Sequence, residues 1–100
     1  MMLMRNYDDL YKNFREAVLK RDGHKCMYPG CKSRKKIQVH HIKKYASNPE
    51  LGLEPNNGIS LCKMHHGKVY GKEEQFELMF IQILCGPMIT NLLRIQKGLQ

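Results

Sequence analysis

Between Tyr7 and Arg21 the apolar residues Leu10, Phe14, Ala17 and Val18 return at helical spacing, which predicts an amphipathic helix with that stripe turned to the core. Asp8 and Asp9 open the segment, where acidic side chains suit the positive end of a helix dipole, and Asp22-Gly23 supplies a stop. The period then changes. "IQVHHI", from Ile37 to Ile42, places β-branched residues around a histidine pair and reads as a short strand. "GISLC", from Gly58 to Cys62, reads as a second strand, and "KMHHGKVYG" as a short helix ended by Gly71. The polar stretch between the strands is punctuated by Asn48-Pro49, Glu54-Pro55 and Asn56-Asn57-Gly58 and holds no more than a turn or two.

The tail differs in kind. Phe76, Met79, Phe80, Ile83 and Leu84 form one helical stripe, and Leu78, Ile81 and Cys85 form a second on another face. Gly86-Pro87 interrupts the pattern, and Met88, Leu92, Ile95 and Leu99 resume it, so a helical hairpin is expected over residues 73–100. That hairpin would cover a small core; the other use for its second apolar face is a homodimer contact. The chain therefore divides into an N-terminal helix over 7–22, a middle over 23–71 and the helical extension, within one domain of 1–100.

Length alters what that middle needs. A chain of 100 residues buries only about 60–68% of the surface it exposes when unfolded, so a staple would help a marginal core. The N-terminal apolar run is too short for a signal peptide, and no stretch approaches the roughly 18 apolar residues of a membrane span. A cytoplasmic location without a membrane partner is the expectation, and there four cysteines point to metal rather than disulfides. Were the chain secreted, the same four could form two bridges. Charge opens a choice: Lys32, Arg34, Lys35, Lys36, Lys43 and Lys44 form a basic block with no acid between its ends, which suits a polyanion such as nucleic acid or a solvated surface that keeps the protein soluble.

Cys26-x4-Cys31 lies on a turn and Cys62-x2-His65 at a strand-to-helix junction, two short pairs that together make the Cys3His set of a structural Zn²⁺. Cys85 stands apart in an apolar helical run and reads as a small buried hydrophobe. His40, His41 and His66 are left over. Neighbours on a helix are turned by about 100°, so with His65 facing the zinc loop, His66 points elsewhere, toward the strand that carries His40 and His41.

With "VHHI" at Val39 to Ile42, Asn57 in "NGISLC" and "LCKMHH" at Leu61 to His66, the sequence resembles the HNH family of nucleases. The likeness spans about Phe14 to Gly67, including "VLKRDGHKCMYPGC", and leaves the tail outside. It implies an α+β fold built on a ββα-metal core, the His-Me finger, with a structural zinc knuckle. By position, His41 resembles the general base, His40 and His66 the ligands of one catalytic divalent ion, and Asn57 the residue that ties the loop and orients the base. Cys26, Cys31 and Cys62 match the knuckle's ligands, with His65 where a fourth cysteine is common and an x4 spacing in the first pair. The implied ion is Mg²⁺, with Mn²⁺, Ni²⁺ or Zn²⁺ as other occupants.

The implied activity is hydrolysis of DNA phosphodiesters, by nicking or double-strand cutting. An imidazole changes charge near pH 6.5, about where a base for water is useful, and a metal with open positions suits phosphate. The six basic side chains would grip the backbone without reading sequence. Family members of this size resemble those of bacteriophages and mobile elements, which implies a bacterial host cytoplasm and a packaging or mobile-element partner. The competing function is a zinc-stapled nucleic-acid-binding module without catalysis, which has no use for His41 as a base.

Overall fold

The computed structural model describes the backbone of residues 7–98 and side chains of residues 7–85. Helix α1 (Tyr7–Arg21) leads into a loop, strand β1 (Ile37–His41), two single 3-10 turns (Pro49–Leu51 and Pro55–Asn57), strand β2 (Gly58–Cys62), helix α2 (Lys63–Val69) and helix α3 (Glu73–Gly98). The fold is thus a small α+β arrangement around one two-stranded antiparallel sheet.

Helix α1 ends as Asp22-Gly23 suggested. The Gly23 and His24 N–H groups donate to the Lys20 and Leu19 carbonyls, and Gly23 takes φ +71°, which a residue without Cβ adopts freely. Its buried stripe is Phe14, Val18 and Leu19, whereas Leu10 and Ala17 of the expected stripe are exposed. The sheet explains this shift: α1 meets it only through its middle and C-terminal turns, where a Cβ on Gly58 would lie 2.7 Å from Val18 and 2.9 Å from Phe14.

The strand register pairs His40 with Ile59 and His41 with Gly58. Alternation then sends these pairs to opposite faces. His41 and Gly58 face α1, while His40, Ile59 and Leu61 face the second layer, where Val69 of α2 and Phe80 of α3 close the core with Cys26 and Ile42. Covered on both sides, β2 is buried at every position.

Beneath α1 lies an ionic tie. Asp22, 4% exposed, accepts from the Ser60 N–H at 2.9 Å and from Arg21, whose guanidinium also donates to the Pro55 and Gly58 carbonyls. The acid read as part of a stop signal therefore also clamps the helix to β2.

The tail is not a hairpin. Gly86-Pro87 leaves α3 unbroken from Glu73 to Gly98: proline's fixed φ is itself helical, and the lost hydrogen bond and the ring's clash with the carbonyl four residues back, about 3 kcal/mol together, do not end a helix anchored in the core by Phe80. Phe80 is buried, and Phe76, Met79, Ile83 and Leu84 pack against the core as a stripe, joined by Ile81 from the second face. Leu78 and Cys85 are exposed. Cys85 is therefore not a buried hydrophobe, because it projects from the side of α3 away from Phe80. The side chains of Met88, Leu92, Ile95 and Leu99 lie outside the described residues. Among the described residues no helix is long and apolar enough to cross a membrane.

Candidate metal and histidine sites

The loop after α1 brings Cys26 and Cys31 back to the sheet. The Met27 N–H donates to the Ser60 carbonyl at 2.9 Å, the Cys31 N–H closes a turn on Tyr28, and Gly30 takes φ +83°. Cys62 ends β2 and His65 lies in the first turn of α2, so the four ligand atoms gather within 4.8 Å of one another. His65 Nδ1 is 3.3 Å from Cys62 Sγ and 3.5 Å from Cys26 Sγ. Tetrahedral bonds of about 2.3 Å to sulfur and 2.0–2.1 Å to nitrogen require separations of about 3.5 Å. Cys26, Cys31, Cys62 and His65 could therefore hold a structural zinc ion.

Their surroundings are prepared for it. The Tyr28 ring stacks on His65 at 4.1 Å between centroids and 3° between planes, which fixes the imidazole with Nδ1 inward. Burial pushes the Cys26 thiol up to about 11. For Cys62 burial acts the same way, but the backbone N–H of His65 and the thiols of Cys26 and Cys31 outweigh it and lower the value. All four cysteines of the chain are free.

On the other side of α2 a cleft of about 430 Å³ is lined by His40, His41, His66, Lys44, Tyr45 and Glu73, among others. The divergence of His65 and His66 follows from helix geometry, as their adjacent positions required. His40 and His66 stand edge to face, 5.6 Å between centroids and 80° between planes. Two imidazoles on one ion at about 2.1 Å have centroids roughly 5 Å apart, somewhat closer than this pair stands. His40 is 3% exposed and its Nε2 has no hydrogen-bond partner. Burial, then the neighbouring His66, drives its pKa down to about 4, which leaves a neutral ring with a lone pair to offer. An unsatisfied buried polar atom costs about 1–3 kcal/mol, which a bound cation would relieve.

His41 is held differently. Its Nε2 lies 2.9 Å from the Gly52 carbonyl, and its ring stacks on Phe14 at 5.3 Å and 7°. A carbonyl only accepts, so Nε2 carries the proton and Nδ1 keeps the free lone pair. A Cβ on Gly52 would overlap the half-exposed Tyr45 ring, which would have to swing aside.

Asn57, 6% exposed, secures that arrangement. Its Oδ1 accepts from the Lys43 N–H at 2.8 Å, and its Nδ2 donates to the Lys43 carbonyl at 3.2 Å and the Leu51 carbonyl at 3.4 Å. The Ile42 N–H donates to the Asn57 carbonyl, which extends the strand ladder by one rung. The loop between the strands is thus pinned beside the carbonyl that holds His41.

The basic block is dispersed. Lys44 lines the cleft; Lys32, Lys35 and Lys36 are exposed on the approach to β1. Arg34 donates to the Gly23 carbonyl, and Lys43 pairs with Glu77 at 2.6 Å, outside the cleft.

Glu73 was not foreseen. The first residue of α3, it reads in sequence only as an acid suited to a helix start. Burial would raise its pKa, but the backbone N–H groups of Glu73 and Gly71, with the neighbouring His40 and Lys44, prevail and lower it. Comparison of the chain with protein-family models, curated proteins and solved structures yields no match.

Proposed function

We propose that the protein is a metal-dependent DNA endonuclease of the HNH type, with His41 as general base and a divalent ion on His40 and His66. The observation that carries this reading is the cleft itself: three imidazoles meet there, one of them fixed by the Gly52 carbonyl with a lone pair to spare. A module that only bound nucleic acid would have no use for a buried, unpartnered His40 beside an oriented His41.

In this mechanism His41 Nδ1 takes a proton from the attacking water, and the Gly52 carbonyl stabilises the imidazolium through the Nε2–H bond. Asn57 is a positioning residue that holds the loop carrying Gly52. His40 and His66 would hold the ion, which would supply Lewis-acid stabilisation of the charge developing on the phosphate. Lys44, on the cleft wall, counters phosphate charge, while Lys32, Lys35 and Lys36 extend the positive field along the approach. Mg²⁺ or Mn²⁺ is the proposed occupant, and a phage or mobile-element role in a bacterial cell is the proposed setting.

The test incubates supercoiled plasmid with the protein and Mg²⁺, Mn²⁺ or Ni²⁺, with and without chelator, beside a His41→Ala variant. Ion-dependent nicking that falls about 100-fold or more in folded His41→Ala is expected. Undiminished nicking by that variant would remove His41 from the mechanism; plasmid binding without any cutting would favour the non-catalytic module.

A further inference from the structure

We propose that Tyr45 and Tyr70 are stacking platforms for unpaired DNA bases, so that the cleft takes single-stranded or locally melted DNA in preference to intact duplex. Both tyrosines line the cleft of the three imidazoles, together with Lys44. Both are exposed, Tyr45 at 46% and Tyr70 at 71%. Ring contacts tie each to a histidine: Tyr45 stands 5.8 Å from His41 at 38°, and Tyr70 stands 6.0 Å from His66 at 46°. His66 in turn meets His40, the neighbour of His41 on β1. The two tyrosines therefore end a row of rings with the imidazoles between them.

Each platform has a backbone seat. The Tyr45 ring lies directly over Gly52, the residue whose carbonyl holds His41. Tyr70 closes α2, where its N–H donates to the His66 carbonyl at 2.9 Å. A half-exposed ring leaves apolar surface in water, and any nucleobase can cover it, because every base has a π-face. Bases in intact duplex already stack on one another and show only their edges in the grooves, so these rings find no face there. Lys44 in the cleft, with Lys32, Lys35 and Lys36 on the approach, supplies charge for the phosphates. Charge serves single strand and duplex alike. The rings are what separate them.

The inference rests on the reading of the cleft as a DNA site, and not on cleavage. It is tested by fluorescence anisotropy of a short labelled DNA strand, its duplex and an abasic strand of equal length. The full-length chain is used with no divalent ion added, so that no strand is cut. Wild type is expected to bind the single strand about tenfold more tightly than the duplex or the abasic strand. Tyr45→Leu and Tyr70→Leu should each weaken single-strand binding about five- to tenfold and leave duplex binding within twofold, while Tyr45→Phe and Tyr70→Phe keep wild-type affinity. Equal binding of the normal and abasic strands by wild type would overturn stacking without recourse to any variant. Equal losses on strand and duplex in the leucine variants, or losses in the phenylalanine variants as large as those, would overturn it too. If Tyr45→Leu does not fold, the more exposed Tyr70 decides. Single-strand preference in a protein that cuts no plasmid would uphold the platforms and remove the nuclease reading; no DNA binding by wild type would overturn both.

Discussion

Asn57 shows how much one side chain does in so small a fold. A single buried amide pairs with both backbone groups of Lys43 and reaches the Leu51 carbonyl, next to the carbonyl that holds His41. Asn57→Ala leaves these groups unpaired and should cost about 2–3 kcal/mol, read as a lower urea midpoint with unchanged slope. Nicking should fall further than plasmid affinity, because the loss is of orientation. His40 gives a pH prediction. Its pKa is about 4 in the fold against an ordinary 6.5, so the unfolded chain takes up a proton first. This contribution is fully present above about pH 6.5, declines as pH falls and is gone below about pH 4, amounting to on the order of 3 kcal/mol. Without added divalent ion, unfolding free energies measured from pH 7 to pH 4 should fall more steeply for wild type than for His40→Gln. Parallel curves would refute the assignment.

At the scale of elements, α1, β2 and α2 were legible from their own punctuation, acids and Asp22-Gly23 for α1, Asn57-Gly58 at the start of β2 and Gly71 after α2, and β1 from its β-branched residues. Two elements departed from expectation. Helix α3 runs through Gly86-Pro87, since local signals weigh little once a helix is anchored by Phe80 in the core. The stripe of α1 is displaced toward its C-terminus because the sheet reaches only that far. Gly58→Ala tests that contact. The backbone there, at φ −122°, accepts alanine without strain, so its cost reports packing against Phe14 and Val18 alone. A loss of about 1–3 kcal/mol by urea denaturation is expected.

For the molecule as a whole, the Cys/His cluster joins the loop after α1, the end of β2 and the start of α2. The purified chain is expected to carry one tightly held zinc, measured by elemental analysis, and to lose most of its helical signal when a strong chelator removes it. Chain that stays fully folded without zinc would contradict a structural role. The Cys/His cluster that could hold zinc and the leftover histidines were readable in the sequence because ligand chemistry and close spacing are local properties. So was the divergence of His65 from His66, which helix geometry dictates. Only the tertiary structure decided that Gly52 holds His41, that Lys43 pairs with Glu77, and that Glu73 stands in the same cleft as His40. Those partners are separated from one another by 11, 34 and 33 positions along the chain, where pattern carries no information and packing alone selects the neighbour.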